Sequence, residues 1–360
     1  MREDGAIHRL VRTASSRPAR RQAPSVLPEL AFIATRRLGV FTAAEARRAG
    51  YRPDEISAAI RAGRWRQLRR GVYVETSRWE AVVGDVRARH LVECVAVLAA
   101  LGPGPVLSHE SAARHHGLVL PRSADETVRL TDAEQWRRGR GYRIAAATLP
   151  DGDVLRSAAY GVTTAARTLV DCAREWSLTG GVVAMDAAIQ CGKVTRAQLV
   201  SAVLAASHWV GIGAAGRALS LADGRAESPL ETRGRLALLA EGLPAPELQV
   251  EIHGERGFIG RVDAWYEEAA VAVEFDGKVK YFDPRNGRTP AEVAWDEKRR
   301  EDALREHGVR VLRLVSDDIG QVRAELAPRL RGLLASPFAG IRRFRAVRMD
   351  EPGTTSGAAA

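Results

Sequence analysis

Asp263, Glu274, Asp276, Lys278 and Lys280 fall within one nineteen-residue stretch, DAWYEEAAVAVEFDGKVKY. Its apolar run, AAVAVEF, is composed like a buried strand, yet it closes on Glu274 with Asp276, Lys278 and Lys280 at alternate positions. A strand shows alternate residues on one face, so an unbroken strand aims all four at one edge of a sheet. Gly277 can interrupt it, and the lysines then turn elsewhere. A turn expected near Glu267-Glu268 makes neighbours of the strands that carry Asp263 and Glu274. Carboxylates that converge in this way suit a hard divalent cation such as Mg²⁺, which takes oxygen ligands and keeps several waters. Such an ion polarises a phosphodiester and lowers the pKa of a bound water. An adjacent lysine stabilises developing negative charge.

The elements that must position these groups can be read around them. SPLETRGRLALLAEGL is an amphipathic helix with Ser228 as cap, Pro229 at its first turn and Glu231 three residues after the cap. APELQVEIHG, GFIGRVDAWYEE and EAAVAVEF read as three strands, with Asp263 expected to end the second and Glu274 the third. TPAEVAWDEKRREDALREHG is a long helix stopped by Gly308, and VRVLRLVSDDI is a strand of alternating apolar and basic residues. The order is α-β-β-β-α-β, with a central strand buried on both faces. Glu231 is a third candidate acid, and Glu297 and Arg300 on the later helix can face the same place. Taken singly, each residue also has a structural reading. Glu231 can be a capping-box acid, Asp276-Gly277 a turn, and EKRRED a solvated helix face with i,i+4 pairs.

Toward the other end, Leu30, Ile33 and Leu38 share a helical face. Thr42 caps a second helix, with Glu45 completing a capping box and Gly50 ending it. A third helix starts near Pro53 or Asp54 and stops at Gly63. WRQLRRGVYVE then reads as a two-stranded ribbon turning near Arg70-Gly71. This is the order of a winged helix-turn-helix. Beyond it come an Ala/Val-rich helix over 84–101, a GPGP break, a helix capped by Ser108 that carries His115 and His116, strands near 127–131 and 142–146, and helices from Thr164 and through VVAMDAAIQC. Adjacent histidines do not share a helix face, so packing or a helix-end hydrogen bond is the expected use of His115 and His116. GIGAAG lacks a preceding strand and is no dinucleotide fingerprint.

Two resemblances attach to these motifs. GVFTAAEARRAGY…ISAAIRAGRWRQLRRGVYV is similar to the N-terminal domain of AbiEi-type antitoxins, DNA-binding transcriptional repressors of type IV toxin–antitoxin systems. VLSHESAARHHGL and GVTTAARTLVDCAR look like the segments that follow it. This resemblance implies double-stranded DNA as a partner, a possible cognate toxin protein as another, and Arg61, Arg64, Arg66, Arg69 and Arg70 as DNA contacts. RVDAWYEEAAVAVEFDGKVKY, with the helix and strand after it, resembles the PD-(D/E)XK nuclease superfamily over about residues 226–325. More narrowly it looks like domains related to very-short-patch mismatch-repair endonucleases. That resemblance implies Mg²⁺ as cofactor, Asp263 and Glu274 as metal carboxylates and Glu231 as an auxiliary acid. Asp276, Lys278 and Lys280 join them as candidate catalytic groups, with Lys280 where relatives often carry His. Asp276 departs from the pattern, because the superfamily places a lysine two residues after its second acid.

The expected fold class is thus α/β, in an α+β multidomain arrangement. Residues 1–27 form a disordered basic arm, 28–80 a winged helix-turn-helix, 81–215 a mixed α/β middle domain, 226–335 a restriction-endonuclease-like domain and 348–360 a disordered tail. The implied function is a DNA-binding regulator of the AbiEi kind with an endonuclease-like domain that hydrolyses DNA phosphodiesters. The alternative is a non-catalytic repressor whose nuclease-like domain is a scaffold or partner-binding module.

Bulk composition agrees with that frame. The 360 residues carry 54 basic and 44 acidic side chains, and residues 1–80 alone hold 17 Arg against 8 Asp/Glu. The excess sits at one end, which points to an anionic partner there. Cys94, Cys172 and Cys191 are widely spaced and expected to be buried thiols. No window is apolar enough to span a bilayer, and the Arg-rich start lacks the apolar region of a secretory signal. A cytoplasmic protein is expected.

Overall fold

The structure is a computed structural model and describes residues 26–276, 290–314, 319–336 and 338–351. The chain divides into two compact units, Met1–Cys172 and Ala173–Ala360. Among the described residues no helix is long and apolar enough to cross a membrane.

The first unit opens with α1 (Pro28–Arg36), β1 (Val40–Thr42), α2 (Ala43–Arg48), α3 (Pro53–Arg61), β2 (Trp65–Arg69) and β3 (Val72–Glu75). The Thr42 capping box forms as expected: its hydroxyl accepts from the Glu45 N–H, and the Glu45 carboxylate accepts from the Thr42 N–H. Gly71 takes φ +73° in the β2–β3 turn, a conformation that favours glycine. The ribbon is three-stranded rather than two-stranded, in the order β1-β3-β2, because Val40 and Phe41 pair with Val74 and Tyr73. One face of it packs Phe41 edge-on to Trp65 at 4.8 Å, with Val26, Leu30 and Ile56 in the same core. Val26 therefore belongs to the folded unit, and residues 1–25 of the expected arm lie outside the described residues.

Val40, Val72 and Val74, on the other side of the ribbon, share a core with the next helices and sheet. These are α4 (Thr76–Glu80), α5 (Val86–Leu101), β4 (Val106–Leu107), α6 (His109–His116), β5 (Val128–Asp132), β6 (Arg137–Gly139), β7 (Tyr142–Ala146), β8 (Val154–Arg156), β9 (Gly161–Thr163) and α7 (Ala165–Ala173). The six strands form one mixed sheet in the order β6-β7-β5-β4-β9-β8. Ser108 does not cap α6 through its side chain; its hydroxyl bonds His109 Nδ1 at 2.9 Å instead. His115 and His116 serve packing, against Tyr160 Oη at 3.2 Å and the Thr163 carbonyl at 2.7 Å.

The second unit begins with α8 (Leu178–Gln190), α9 (Arg196–Ala205) and α10 (Ile212–Leu221), so GIGAAG opens a helix. Cys94 and Cys172 are buried, but Cys191, just past α8, is exposed, contrary to expectation. Then come α11 (Pro229–Ala240), β10 (Glu247–Gly254), β11 (Gly257–Tyr266), β12 (Val271–Phe275), α12 (Pro290–Glu306), β13 (Arg310–Leu314), α13 (Ala327–Leu334) and β14 (Arg345–Val347). The expected α-β-β-β-α-β order holds. β14 is an addition, and the sheet runs β13-β12-β11-β10-β14, with β12 and β13 parallel. Every residue of β12 is buried, with Val271, Val273 and Phe275 in one core and Ala272 in the opposite one. Part of the expected tail is also held: the Glu351 carboxylate accepts from Arg196 Nε at 2.9 Å and from the Gly224 N–H at 2.8 Å.

The close approach of α11 to β12 depends on Gly234. A Cβ there would sit 2.2 Å from the Phe275 ring. Overpacking of a filled core costs about 1–3 kcal/mol. Gly234→Ala is expected to lower the unfolding free energy of the second unit by that amount, read as a fall in its denaturant midpoint, with an unchanged midpoint excluding the contact.

Candidate functional site

Four polar residues form a row across the second sheet. Leu248 pairs with Ala264 and Val250 with Val262, which sets Gln249 of β10 against Asp263 of β11. Ala264 pairs with Val273, which sets Asp263 against Glu274 of β12. Glu274 pairs with Arg313 of β13. The expected meeting of Asp263 with Glu274 is therefore present, although β11 continues to Tyr266 rather than ending at Asp263.

The pleat breaks at this row. Gln249 has φ +53°, a left-handed conformation that costs a non-glycine residue on the order of 1 kcal/mol or more. Leu248 and Val250, two apart, consequently lie in opposite cores, and so do Ala264 and Val262. The Gln249 amide is turned between two acids: it donates to Glu231 Oε2 at 3.0 Å and lies 3.4 Å from Asp263 Oδ1. Asp263 Oδ2 accepts from the Phe275 N–H at 2.9 Å. Glu231 does not close a capping box with Ser228. Its carboxylate takes the Glu227 N–H at 2.8 Å, while Ser228 Oγ accepts from the Glu231 N–H. Burial raises the Glu231 carboxyl above its ordinary pKa.

Beside the row, α12 turns Glu297, Arg300, Glu301 and Leu304 inward at i, i+3, i+4 and i+7, with Leu304 fully buried as the anchor. Lys298, Arg299 and Asp302 face outward, so only half of EKRRED is a solvated face. Glu227, Gln249, Arg261, Asp263, Glu274, Asp276, Glu297 and Arg300 line a cleft of about 260 Å³. Glu274 and Asp276 are only 3% and 2% exposed. Carboxylate oxygens of Glu274, Asp276 and Glu297 lie within 4.8 Å of one another. Such a set of hard oxygen donors fits a divalent cation in type and spacing.

Two arginines stand among these acids. Arg300 Nη2 is 2.7 Å from Glu274 Oε1 and 2.9 Å from Glu297. Arg313 lies 3.0 Å from Glu274, 3.2 Å from Asp276, 3.1 Å from Glu297 and 3.3 Å from Glu301. Burial raises the Glu274 carboxyl, and the two guanidiniums offset only part of that rise. The direct contacts with Arg300 and Arg313 favour its ionised form. Asp263, Glu274 and Asp276 are thus brought together, Glu231 stands one amide away, and Lys278 and Lys280 lie outside the described residues. Gln249, Arg313, Glu227, Arg261 and Glu301 are participants that sequence reasoning missed. The alternation of basic and apolar residues in VRVLRL was the available signal for Arg313.

In the first unit the other candidate residues cluster on and beside the β2–β3 ribbon. Arg61, Arg64, Arg66 and Arg70 are exposed, and Arg69 is half-buried. The Arg66 guanidinium lies 4.9 Å from the Trp79 ring. Arg69 is partly engaged, donating to the Arg140 carbonyl at 2.8 Å.

Two uncharacterized proteins of Mycobacterium tuberculosis, from strains H37Rv and CDC 1551, are each 34% identical to the chain over 168 residues. The alignment covers 47% of this chain, and the chain spans 59% of the length of those relatives. Residues 28–76, which hold α1 through β3 and all five of the ribbon arginines, match the family described as transcriptional regulator, AbiEi antitoxin.

Proposed function

We propose that this chain is a DNA-binding transcriptional regulator of the AbiEi antitoxin kind, whose second unit carries a nuclease-like divalent-cation cleft. The observation that carries the first half is the family match over residues 28–76, laid on three helices and a ribbon with exposed Arg61, Arg64, Arg66 and Arg70. In a winged helix-turn-helix one helix enters the major groove and the wing follows the backbone. Arginines on such a wing make phosphate contacts. Double-stranded DNA is the partner of this surface, and a cognate toxin protein is the second partner that this kind of regulator implies.

In the cleft, Asp263, Glu274 and Asp276 would hold Mg²⁺, with Glu297 beside them and Glu231 kept in place by Gln249. Bound there, the ion would supply Lewis-acid activation of a phosphodiester and a more acidic water. Arg300 and Arg313 would orient the carboxylates, and Arg261 at the rim, paired with Glu227 at 2.7 Å, would meet phosphate. A second reading has a specific observation behind it. Arg300 and Arg313 already pair with Glu274, Asp276 and Glu297, and under the nuclease resemblance Asp276 would stand where the superfamily carries a lysine, so the cleft would be a fixed ion-pair lattice in a non-catalytic regulator.

Nicking of supercoiled plasmid by the full chain separates the two. The catalytic reading expects Mg²⁺-dependent nicking that falls at least about 100-fold, some 2.7 kcal/mol of transition-state stabilisation, in Asp263→Ala and Glu274→Ala. DNA binding without cleavage in Mg²⁺ or Mn²⁺ sinks it and leaves the regulator.

A further inference from the structure

The β6–β7 hairpin lies outside the segment that matches the regulator family, yet it is built against the wing. Arg69 Nη1 donates to the carbonyl of Arg140 in the hairpin turn at 2.8 Å. The Arg69 guanidinium also sits 5.5 Å from the Tyr142 ring, and Arg137 of β6 approaches the same ring at 5.9 Å. One tyrosine therefore joins a wing arginine to a hairpin arginine. Burial lowers the Arg69 pKa from its ordinary value, but a guanidinium remains charged at any working pH. Arg69 thus acts as the coupling between the two elements, and Arg66 and Arg70 are left to face solvent.

The hairpin itself is arranged against its own stability. β6 is the edge strand of the six-stranded sheet. The register places Arg138 directly opposite Arg143. Like charges across an antiparallel pair are destabilising by a few tenths to about 1 kcal/mol. Among the described residues no carboxylate forms an ion pair with Arg137, Arg138, Arg140 or Arg143. Arg137, Arg138 and Arg140 are exposed, and Trp136 just before them is 71% exposed. Acids near this surface include Glu134, which is exposed, Asp132, which is buried and accepts from the Glu134 N–H and Gln135, and Glu93, which is half-buried beside Arg69. They leave the arginines in clear excess. Arg137 packs on Tyr142, and charge on an edge strand deters pairing with other strands, but among the described residues Arg138 and Arg140 make no such packing contact; a polyanion lying along the edge strand would oppose the charge of all three.

We propose that the β6–β7 hairpin is a second DNA-contacting element, continuous with the wing, that binds the phosphate backbone of duplex DNA through Arg137, Arg138 and Arg140. This rests on the DNA-binding reading of residues 28–76 and extends the footprint beyond that segment. The contacts are to phosphate, so they add affinity and salt dependence without sequence preference. Exposed Trp136 gives the same surface an apolar plate for the sugar edge.

The test is equilibrium binding of the full chain to a fluorescein-labelled random-sequence duplex of about 30 base pairs, measured by anisotropy between about 50 and 200 mM KCl. Each phosphate contact contributes about 0.9 to the slope of log K against log salt. R138Q/R140Q is expected to reduce that slope by about 2 and to weaken low-salt binding by tenfold or more. R138K/R140K, which keeps the charge, should retain the slope and shows that charge, not packing, is read. R66Q/R70Q on the wing should weaken binding independently. If the wing variant loses affinity while R138Q/R140Q binds like wild type, the hairpin assignment falls and the regulator reading stands. If the wild-type chain does not bind the duplex at about 50 mM salt, both fall together. A wild-type preference for single-stranded RNA over the duplex, lost in R138Q/R140Q, overturns the assignment of duplex DNA as the partner.

Discussion

Arg313→Gln is expected to destabilise the second unit by roughly 3 kcal/mol, and Mg²⁺ is expected to return part of the loss. Arg313 stands within 3.3 Å of four carboxylates, those of Glu274, Asp276, Glu297 and Glu301. Deleting one partner of a buried ion pair typically costs about 3–5 kcal/mol, because the remaining charge is left uncompensated. The Arg313 side chain is partly exposed and Arg300 remains, which sets the estimate at the lower end. The variant therefore raises the negative potential of a cleft whose oxygens already have the spacing for a cation. A cation that binds the folded state alone adds RT ln(1 + [L]/Kd), about 2.7 kcal/mol at a hundredfold excess over Kd. Urea unfolding with EDTA and with about 10 mM Mg²⁺ is the measurement. Wild type, with its arginines in place, should gain less from Mg²⁺ than the variant does. Equal destabilisation in both buffers would mean that these acids are only a structural lattice, and the cation-site proposal would be lost with it. Glu297→Gln in the same background should recover stability, since neighbours that share a network are not additive.

How much of this cleft could be read beforehand follows from what each residue depends on. Asp263 and Glu274 were legible because a hairpin with its turn near Glu267 has a two-residue side-chain period, and register follows from the turn. Ser228 and Pro229 were legible as a helix start for equally local reasons. Gln249 was not. Its role depends on a left-handed backbone that breaks the pleat, and VEIHG around it reads as an ordinary strand. Glu297 and Arg300 could be placed on a helix, but which half of EKRRED turns inward is decided by Leu304 packing into the core below. β14 depends on Glu251, Ile252 and His253 offering a free edge to residues 345–347, a pairing nearly a hundred residues apart that no local pattern encodes.

The first unit shows the same division. The Thr42–Glu45 capping box, the break after α3 and the turn at Arg70-Gly71 are local and were readable. That Val40, Val72 and Val74 share a core with α5 was not, because an alternating ribbon does not declare what covers its second face. The segments read as a wing and a separate middle domain are packed on one another there. The basic hairpin was hidden for a different reason. Arg137, Arg138, Arg140 and Arg143 are diluted by acids elsewhere in the later part of the chain, so a charge count by segment shows near balance, and only folding gathers them beside Arg69.

Acidification is expected to weaken this first unit through His90. The ring is 2% exposed on α5, with Nε2 3.0 Å from Ser111 Oγ. Nδ1 is buried and has no hydrogen-bond partner. Burial is the main cause that lowers its pKa from 6.5 to about 4, and the neighbouring charges of Arg114 and Arg89 lower it further against a small opposing effect of Asp125. The folded value lies below the unfolded one. The neutral ring therefore contributes stability that is fully present above about pH 6.5 and is lost as pH falls toward 4. Each pKa unit corresponds to about 1.4 kcal/mol, so the loss is on the order of 3 kcal/mol. Asp186 in the second unit works in the opposite direction. Burial raises it to about 6, so its contribution is fully present below about pH 4 and is lost as pH rises through 6. A whole-chain melt would blend the two trends, and two units need not unfold together. Amide hydrogen exchange of Val86–Leu101, corrected for the intrinsic pH dependence, isolates the first. His90→Gln keeps a donor for Ser111 and has no charge to gain. His115 on α6, which burial also lowers to about 4, adds a loss of the same sign. Protection of α5 should therefore fall with acid in wild type and fall less steeply in the variant between pH 6.5 and 4; parallel profiles would remove His90 as a cause.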